Sequence, residues 1–364
     1  MNLYAGARWR QGGRMRLVRT LQLSTAVIGL LASAACAPEQ AASSGARELT
    51  VADFYSDTHS IGVAGVQPYM KLVEKRSGGR LRFDYRTSEQ LAAAEDIHHA
   101  VRAGAADVGN VLYMGSQNPM MYVPQLPGLY RDRDVVGASQ AFWTFVRTNS
   151  VMRRTFREWN IKPLFCFTLS NYQMQFSDPS IDSMDDIRGK QLRAAGSILP
   201  FSIRAAGATS IDLNAGEAYD AFNRGVIDGL SLSVTSVKDY SFYELIQSAI
   251  VDLNLGGFPV CYGMNLDTWN SLPPRDQRVL NRAGDATVSA TAAELRRQIT
   301  EDLAEWRKQG IRVHHAKPGK RFRKRIAAVE SEWVDQLVGD GMDRAEVERS
   351  IEQWKRLLRA EIGN

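Results

Sequence analysis

Arg193 is the residue of this 364-residue chain whose type and setting ask most plainly for a chemical partner. A guanidinium stays charged at any physiological pH and offers a planar fork of donors that matches a carboxylate. Here it stands in Gln191-Leu192-Arg193-Ala194, a strand-like run inside an apolar, glycine-punctuated stretch over 184–233, where the most economical anion is a ligand. The histidines are weaker candidates. His59 follows the first expected strand, within reach of a bound molecule. Glu95-x-x-His98 is half of a di-iron ligand pattern without a second copy, so it reads as a packed or solvated pair. His314 and His315 read as a surface loop. The chain has no Gly-x-Ser-x-Gly elbow, Walker loop, Cys-x-x-Cys pair or His-Glu-x-x-His. With no nucleophile beside a base and no metal-ligand set, binding without catalysis is expected, with no cofactor and no metal.

The elements that must hold Arg193 follow from hydrophobic periodicity and turn residues. After its strand come a helix, a short strand, a helix over Ala215–Asn223, a Gly225 stop and a strand over 226–228. The first half has the same rhythm: a strand over 48–54, a helix over 65–76 ended by Gly78-Gly79, a strand over 80–86, a helix over 92–103 and a strand over 107–112. Two passages share the pattern Ala-apolar-x-x-Gly-x-x-Asp, Ala100 to Asp107 and Ala221 to Asp228, 121 residues apart. Each reads as a helix end, a glycine cap and the start of a buried strand, so two α/β lobes of related build are expected, with parallel sheets. After a strand over 258–265 the chain turns helical, over 274–309, 320–337 and 344–362. Ligands of open α/β folds bind beyond the carboxyl ends of strands. Phe54, Tyr113, Arg193 and Ser231 lie at or near such ends, with Tyr55 and Tyr172 beside them.

Charge points away from nucleic acid. Five arginines and no acid precede Cys36; removing them from the 45 Lys and Arg leaves 40 against 40 Asp and Glu. The basic balance thus belongs to a leader, whose apolar core over 21–35 has signal-peptide length and is too short for a span. Ala32-Ser33-Ala34 suits cleavage to a soluble secreted form, while Ser33-Ala34-Ala35-Cys36 resembles a lipobox with Ser at the usual Leu position; the Ser/Ala/Gly tether that follows tips the expectation toward lipid attachment at Cys36. Both routes lead outside the cytoplasm. Cys166 and Cys261 lie on apolar strand-like runs, where a disulfide and two buried thiols remain equally open. About 320 mature residues suit two lobes better than one core. The expected division is a signal over 1–36, a tether over 37–47, lobe I over 48–170 with 258–297, and lobe II over 171–257 with 298–364.

Leu192-Arg193, Gly207-Ala208 and the run from Ala221 through Asn223-Arg224-Gly225 to Asp228-Gly229 resemble the signature of the DctP-type solute-binding proteins of tripartite ATP-independent periplasmic (TRAP) transporters, and the similarity extends from about Leu49 to the C-terminal helices. The resemblance implies an α/β, two-lobed periplasmic-binding-protein-like fold with a ligand cleft between the lobes and long C-terminal helices. It implies a monomer that closes on a small organic acid and delivers it to small and large membrane subunits, with Arg193 pairing the carboxylate. Three positions depart from the family pattern. Gln173 stands where some members carry a second basic residue, Leu232 where an asparagine is common, and Phe54 at a polar first-strand position. Sugar acids and dicarboxylates would lose partners there, so an aromatic or branched apolar monocarboxylate is expected. A sensor subunit signalling to a membrane kinase shares this binding fold, and a secreted hydrolase is the rival of a different class.

Overall fold

The computed structural model describes residues 45–363. The expected signal, Cys36 and most of the tether lie outside the described residues. The first lobe is built from β1 (Arg47–Ala52), α1 (Gln67–Ser77), β2 (Leu81–Arg86), α2 (Ile97–Ala103), β3 (Val108–Asn110), α3 (Val135–Thr148), α4 (Ser150–Glu158) and β4 (Ile161–Asn171). The chain then crosses to a second sheet through β5 (Gln173–Phe176), β6 (Gln191–Ala194), α5 (Leu199–Ala206), β7 (Thr209–Asp212), α6 (Ala215–Asn223), β8 (Gly229–Leu232), α7 (Val234–Asp239) and β9 (Ser248–Val251). It returns in β10 (Gly257–Asn265) and α8 (Leu266–Ser271), runs through α9 (Pro274–Lys308) to β11 (Arg312–His315), and ends in α10 (Lys320–Gly339) and α11 (Arg344–Ile362).

Side-chain caps set several helix starts. Asn149 accepts from the Met152 amide, Asn214 and Glu217 form a reciprocal capping box, and Asp343 accepts from the Glu346 amide. The repeated Gly-x-x-Asp passages do end helices: Gly104 and Gly225 sit at φ 75° and 69°, where a Cβ would be strained. β8 nevertheless begins at Gly229 and not within 226–228, because Val226 turns outward, 56% exposed, and the Val226 amide closes back on the Ala221 carbonyl.

The sheets are mixed and not parallel. Their orders are β2-β1-β3-β10-β4 and β11-β9-β5-β8-β6-β7. β10 runs antiparallel to β3 and β4, and β5 antiparallel to β8 and β9. The cause is the double crossing: a strand that carries the chain into or back from the other sheet inserts against the direction of its neighbours. Tyr172 lies at the outward crossing, and its amide donates to the Gly256 carbonyl of the return crossing at 2.9 Å. Gly257 is forced there, since a Cβ would stand 2.0 Å from the Leu169 carbonyl oxygen. Cys166 and Cys261 face each other on β4 and β10 and form a disulfide.

α9 is a third connection, with Thr291 bonded to the Ala64 carbonyl of the first lobe and its later turns against α7 and β11 of the second. His314 and His315 lie in β11, paired with Ile250 and Val251, and not in a loop. α10 packs on α5. α11, expected with the second lobe, packs instead on α3, where Trp354 meets Phe142 and Phe145 edge-on at 6.3 Å. Its apolar stripe matches the aromatic face of α3.

Candidate functional site

Arg193 is held at the carboxyl end of β6, 4% exposed. Its Nε donates to the Leu213 carbonyl at 2.9 Å and its Nη1 to the Ser231 carbonyl at 3.4 Å. Both acceptors are neutral, and among the described residues no carboxylate forms an ion pair with it. A buried cation held by dipoles alone is incompletely compensated, and an anion brought to it gains more than it would in water.

The phenols of Tyr113, Tyr172 and Tyr240 lie near enough to feel the guanidinium charge, and other rings pack on them. Tyr172 is stacked on Phe258 at 5.8 Å, and Phe258 also meets Tyr122 edge-on at 5.8 Å. Phe54 packs on Tyr55 at 4.1 Å and Tyr113 at 5.7 Å, Tyr55 stacks on His59 at 4.0 Å, and His59 meets Tyr240 edge-on at 5.3 Å. Burial pushes the Tyr113 and Tyr172 hydroxyls up to about 12 while the Arg193 charge pulls each down, which places both phenols beside it. Burial likewise raises Tyr240, again against Arg193. All these phenols are neutral donors at pH 7.

The structure therefore brings Tyr113 and Tyr172 beside Arg193, with Phe54, Tyr55 and His59 packed in series on Tyr113, and adds Tyr240 beside Arg193 and Phe258 and Tyr122 beyond Tyr172. These three come from separate segments and carry no shared spacing. Only their aromatic type beside a strand end or helix end could have signalled them. The strand register puts Leu232 on the same face as Arg193 and Ser231 on the other, because Arg193 lies opposite Leu230 and side chains alternate. What Ser231 contributes toward Arg193 is its carbonyl. Gln173 sits at the crossing, where its amide donates to Asp132 at 3.2 Å and to the Asn171 carbonyl at 3.1 Å.

The base of the first-lobe side is a buried carboxylate. Asp53 receives the Tyr262 hydroxyl at 2.6 Å, the Tyr85 hydroxyl at 2.9 Å, the Tyr55 amide at 3.2 Å and the Asn110 amide at 3.3 Å. Burial raises its pKa and the hydrogen bonds oppose that. This network fixes the turn that carries Phe54 and Tyr55. Its donors are tyrosines and amides, so it adds no competing cation to the site.

Polar contacts join the lobes, among them bonds from Gln125 to Ala195 at 3.0 Å and from the Ile198 amide to Gln125 at 3.3 Å. Asn214 donates to Glu95 at 3.3 Å, and the Ser60 amide donates to Asp239 at 3.0 Å, with the Ser60 hydroxyl bonded to the same carboxylate. His59 is neutral at pH 7, since burial lowers its pKa to about 3. Its Nδ1 lies 3.2 Å from the Ile61 amide nitrogen, which donates to it, and 3.5 Å from the Asp239 carboxylate. Burial raises Asp239 to about 6, against the Ser60 bonds. A folded carboxyl that binds its proton at higher pH than the unfolded chain adds stability that is complete below the unfolded value of 3.8 and lost as pH rises through about 6. The native protein should therefore gain thermal stability relative to Asp239→Asn as pH is lowered from 7 to 5. Unfolding midpoints of the pair at both values read this directly, and a pH-independent difference would exclude it.

Two α/β lobes joined by crossing strands, with an open-ended binding chamber between them, are the build of a solute-binding protein. The family profile of bacterial extracellular solute-binding protein, family 7 (DctP), matches residues 52–337, and the chain belongs to that family. A solute-binding protein of Albidiferax ferrireducens is 23% identical over 277 residues, 74% of this chain and 80% of that one. Among solved structures, a TRAP solute-binding protein from Rhodoferax ferrireducens in complex with copurified benzoate superposes with a TM-score of 0.78 at 18% identity, covering 86% of this chain and 98% of that one. A marine metagenome TRAP solute-binding protein from an unidentified microbe, described as specific for aromatic acid ligands and holding metahydroxyphenylacetate, superposes with a TM-score of 0.77 at 19% identity, covering 86% and 99%. These likenesses show the fold. TRAP solute-binding proteins bind small organic ligands and work with membrane subunits.

Proposed function

We propose that this protein captures a small organic monocarboxylate with an aromatic or branched apolar body and hands it to the membrane subunits of a TRAP transporter. The observation that carries this reading is a buried guanidinium without a carboxylate partner inside a ring of aromatic side chains. The ligand carboxylate pairs with Arg193 and the Tyr172 hydroxyl. Its body lies among Phe54, Tyr55, Tyr113 and Tyr240. Leu232 on the Arg193 face favours carbon over hydroxyls, and the benzoate and metahydroxyphenylacetate held by the two structural relatives fit the same chemistry. Closing the lobes removes water and strengthens the ion pair. A thermal-shift screen over aromatic acids, branched 2-oxo acids, C4-dicarboxylates and sugar acids tests it, because a binder of the folded state raises the melting temperature by mass action. Stabilisation by the first two groups is expected. Stabilisation by succinate or a sugar acid, with none from any aromatic or branched monocarboxylate, would overturn the proposed ligand class.

A further inference from the structure

Gln125 is a buried amide, 1% exposed, at the end of the short 3₁₀ turn over Pro119–Gln125 of the first lobe, and it lies outside the ligand contacts proposed above. Its side chain reaches into the second lobe. Nε2 donates to the Ala195 carbonyl at 3.0 Å, and Oε1 accepts from the Ile198 amide at 3.3 Å. The two partners fix which end is which, since a flipped amide would set N–H against N–H and oxygen against oxygen. One first-lobe side chain thus closes both ends of the second-lobe turn over 195–198.

That turn begins directly behind the clamp. Arg193 and Ala194 end β6, and Ala195 is the next residue. Gly196 is required for the contact: its φ is 83°, and a Cβ there would stand 2.5 Å from Gln125 Oε1. From α10, Trp333 Nε1 donates to the Ser197 hydroxyl at 3.1 Å, so the turn is tied within its own lobe as well. A turn bound in this way has little freedom of its own, and the place of Arg193 is tied to that of Gln125.

The main chain of Gln125 meets the other arm of the clamp. Gly256, on the return crossing at φ 81°, has no room for a Cβ, which would stand 2.5 Å from the Gln125 carbonyl carbon. The Gly256 carbonyl accepts from the Tyr172 amide at 2.9 Å, and the Tyr172 hydroxyl is hydrogen-bonded to the Arg193 guanidinium. Gln125 therefore touches both the turn behind Arg193 and the crossing that carries Tyr172. A two-pronged pairing depends on geometry as much as on charge, and a misplacement of about 1 Å forfeits much of its benefit.

We propose that Gln125 is a positioning residue for ligand capture: acting through the 195–198 turn and the return crossing, it holds Arg193 and Tyr172 at the spacing that a carboxylate spans. This rests on the carboxylate reading above and adds the residue that keeps its two arms in register. Every carboxylate ligand shares that requirement. Losing Gln125 therefore weakens all of them alike, whatever their apolar bodies.

Calorimetry with benzoate, phenylacetate and 4-methyl-2-oxopentanoate tests it, on the native protein and on Gln125→Met, which keeps the bulk of the side chain and neither hydrogen bond. Affinity for each acid that the native protein binds should fall by a common factor of about tenfold. Arg193→Ala separates positioning from mere support of the fold. Its loss of about a hundredfold in the native background should shrink to about tenfold in Gln125→Met, because the clamp is already out of place. Should Gln125→Met fail to fold, Gln125→Asn, which withdraws the amide by one methylene, is read by the same criteria. Unchanged affinity in a folded variant would overturn the inference and leave the carboxylate reading standing. Equal Arg193→Ala losses in both backgrounds, or losses that differ from acid to acid, would do the same. Failure of the native protein to bind any of the three acids would overturn the carboxylate reading and the inference with it.

Discussion

Arg193→Ala is expected to lower affinity for the protein's carboxylate ligand about a hundredfold, ~3 kcal/mol, because the ligand then loses a charge-assisted bidentate partner inside a dry cleft. Arg193→Lys should recover part of the loss, since an ammonium keeps the charge but not the planar fork. Among the described residues the native guanidinium is bonded to the Leu213 and Ser231 carbonyls and to the Tyr172 hydroxyl, none of them a carboxylate, so removing it leaves no carboxylate of the described residues unpaired. The effect should therefore appear in binding far more than in folding. Calorimetry with the ligand found in the screen measures it, beside a melting curve for each variant. Unchanged affinity in a folded Arg193→Ala protein would remove the clamp from the proposal.

The second large effect is on stability. The Cys166–Cys261 bond closes a loop of sequence separation 95 between two fully buried residues. On the chain-entropy argument a loop of that length is worth about 4.7 kcal/mol, and the paired strands that flank it keep the native geometry without the bond. The double change Cys166→Ala and Cys261→Ala should lower the urea midpoint correspondingly, and a reductant should then have no further effect. Equal midpoints for the native and double-variant proteins would show that the bond adds nothing.

Much of the frame was legible because its signals are local. α6 and α11 have the expected bounds since Asn214, Glu217 and Asp343 cap them and their apolar positions recur at helical spacing. Arg193 stood out because a cation on an apolar strand conflicts with its surroundings, and such conflicts concentrate at functional sites. What escaped depends on returns of the chain. The antiparallel settings of β5 and β10 arise where strands cross between sheets, and neither strand differs in composition from a parallel one. Tyr122, Tyr240 and Phe258 reach the site from three segments. Gln173 lies opposite Leu232 across β5 and β8, and its amide nitrogen is bonded to Asp132 at the crossing, a partner that its strand position did not reveal.

The crossings also set how the ligand's free energy is divided. Two crossing segments tied to each other by the Tyr172–Gly256 bond, with α9 alongside, should restrict sliding and twisting of the lobes, so that opening and closing are expected to follow one main coordinate. Apparent affinity is then intrinsic affinity scaled by the fraction of molecules able to close. A change at the crossings, such as at Gly257 or Asp132, multiplies that fraction and shifts every ligand by a common factor. On the proposed site, a change at Leu232 or Tyr240 is expected to alter the order of preference instead. Overall avidity and choice of ligand are thus separable traits in this protein, each adjustable without disturbing the other.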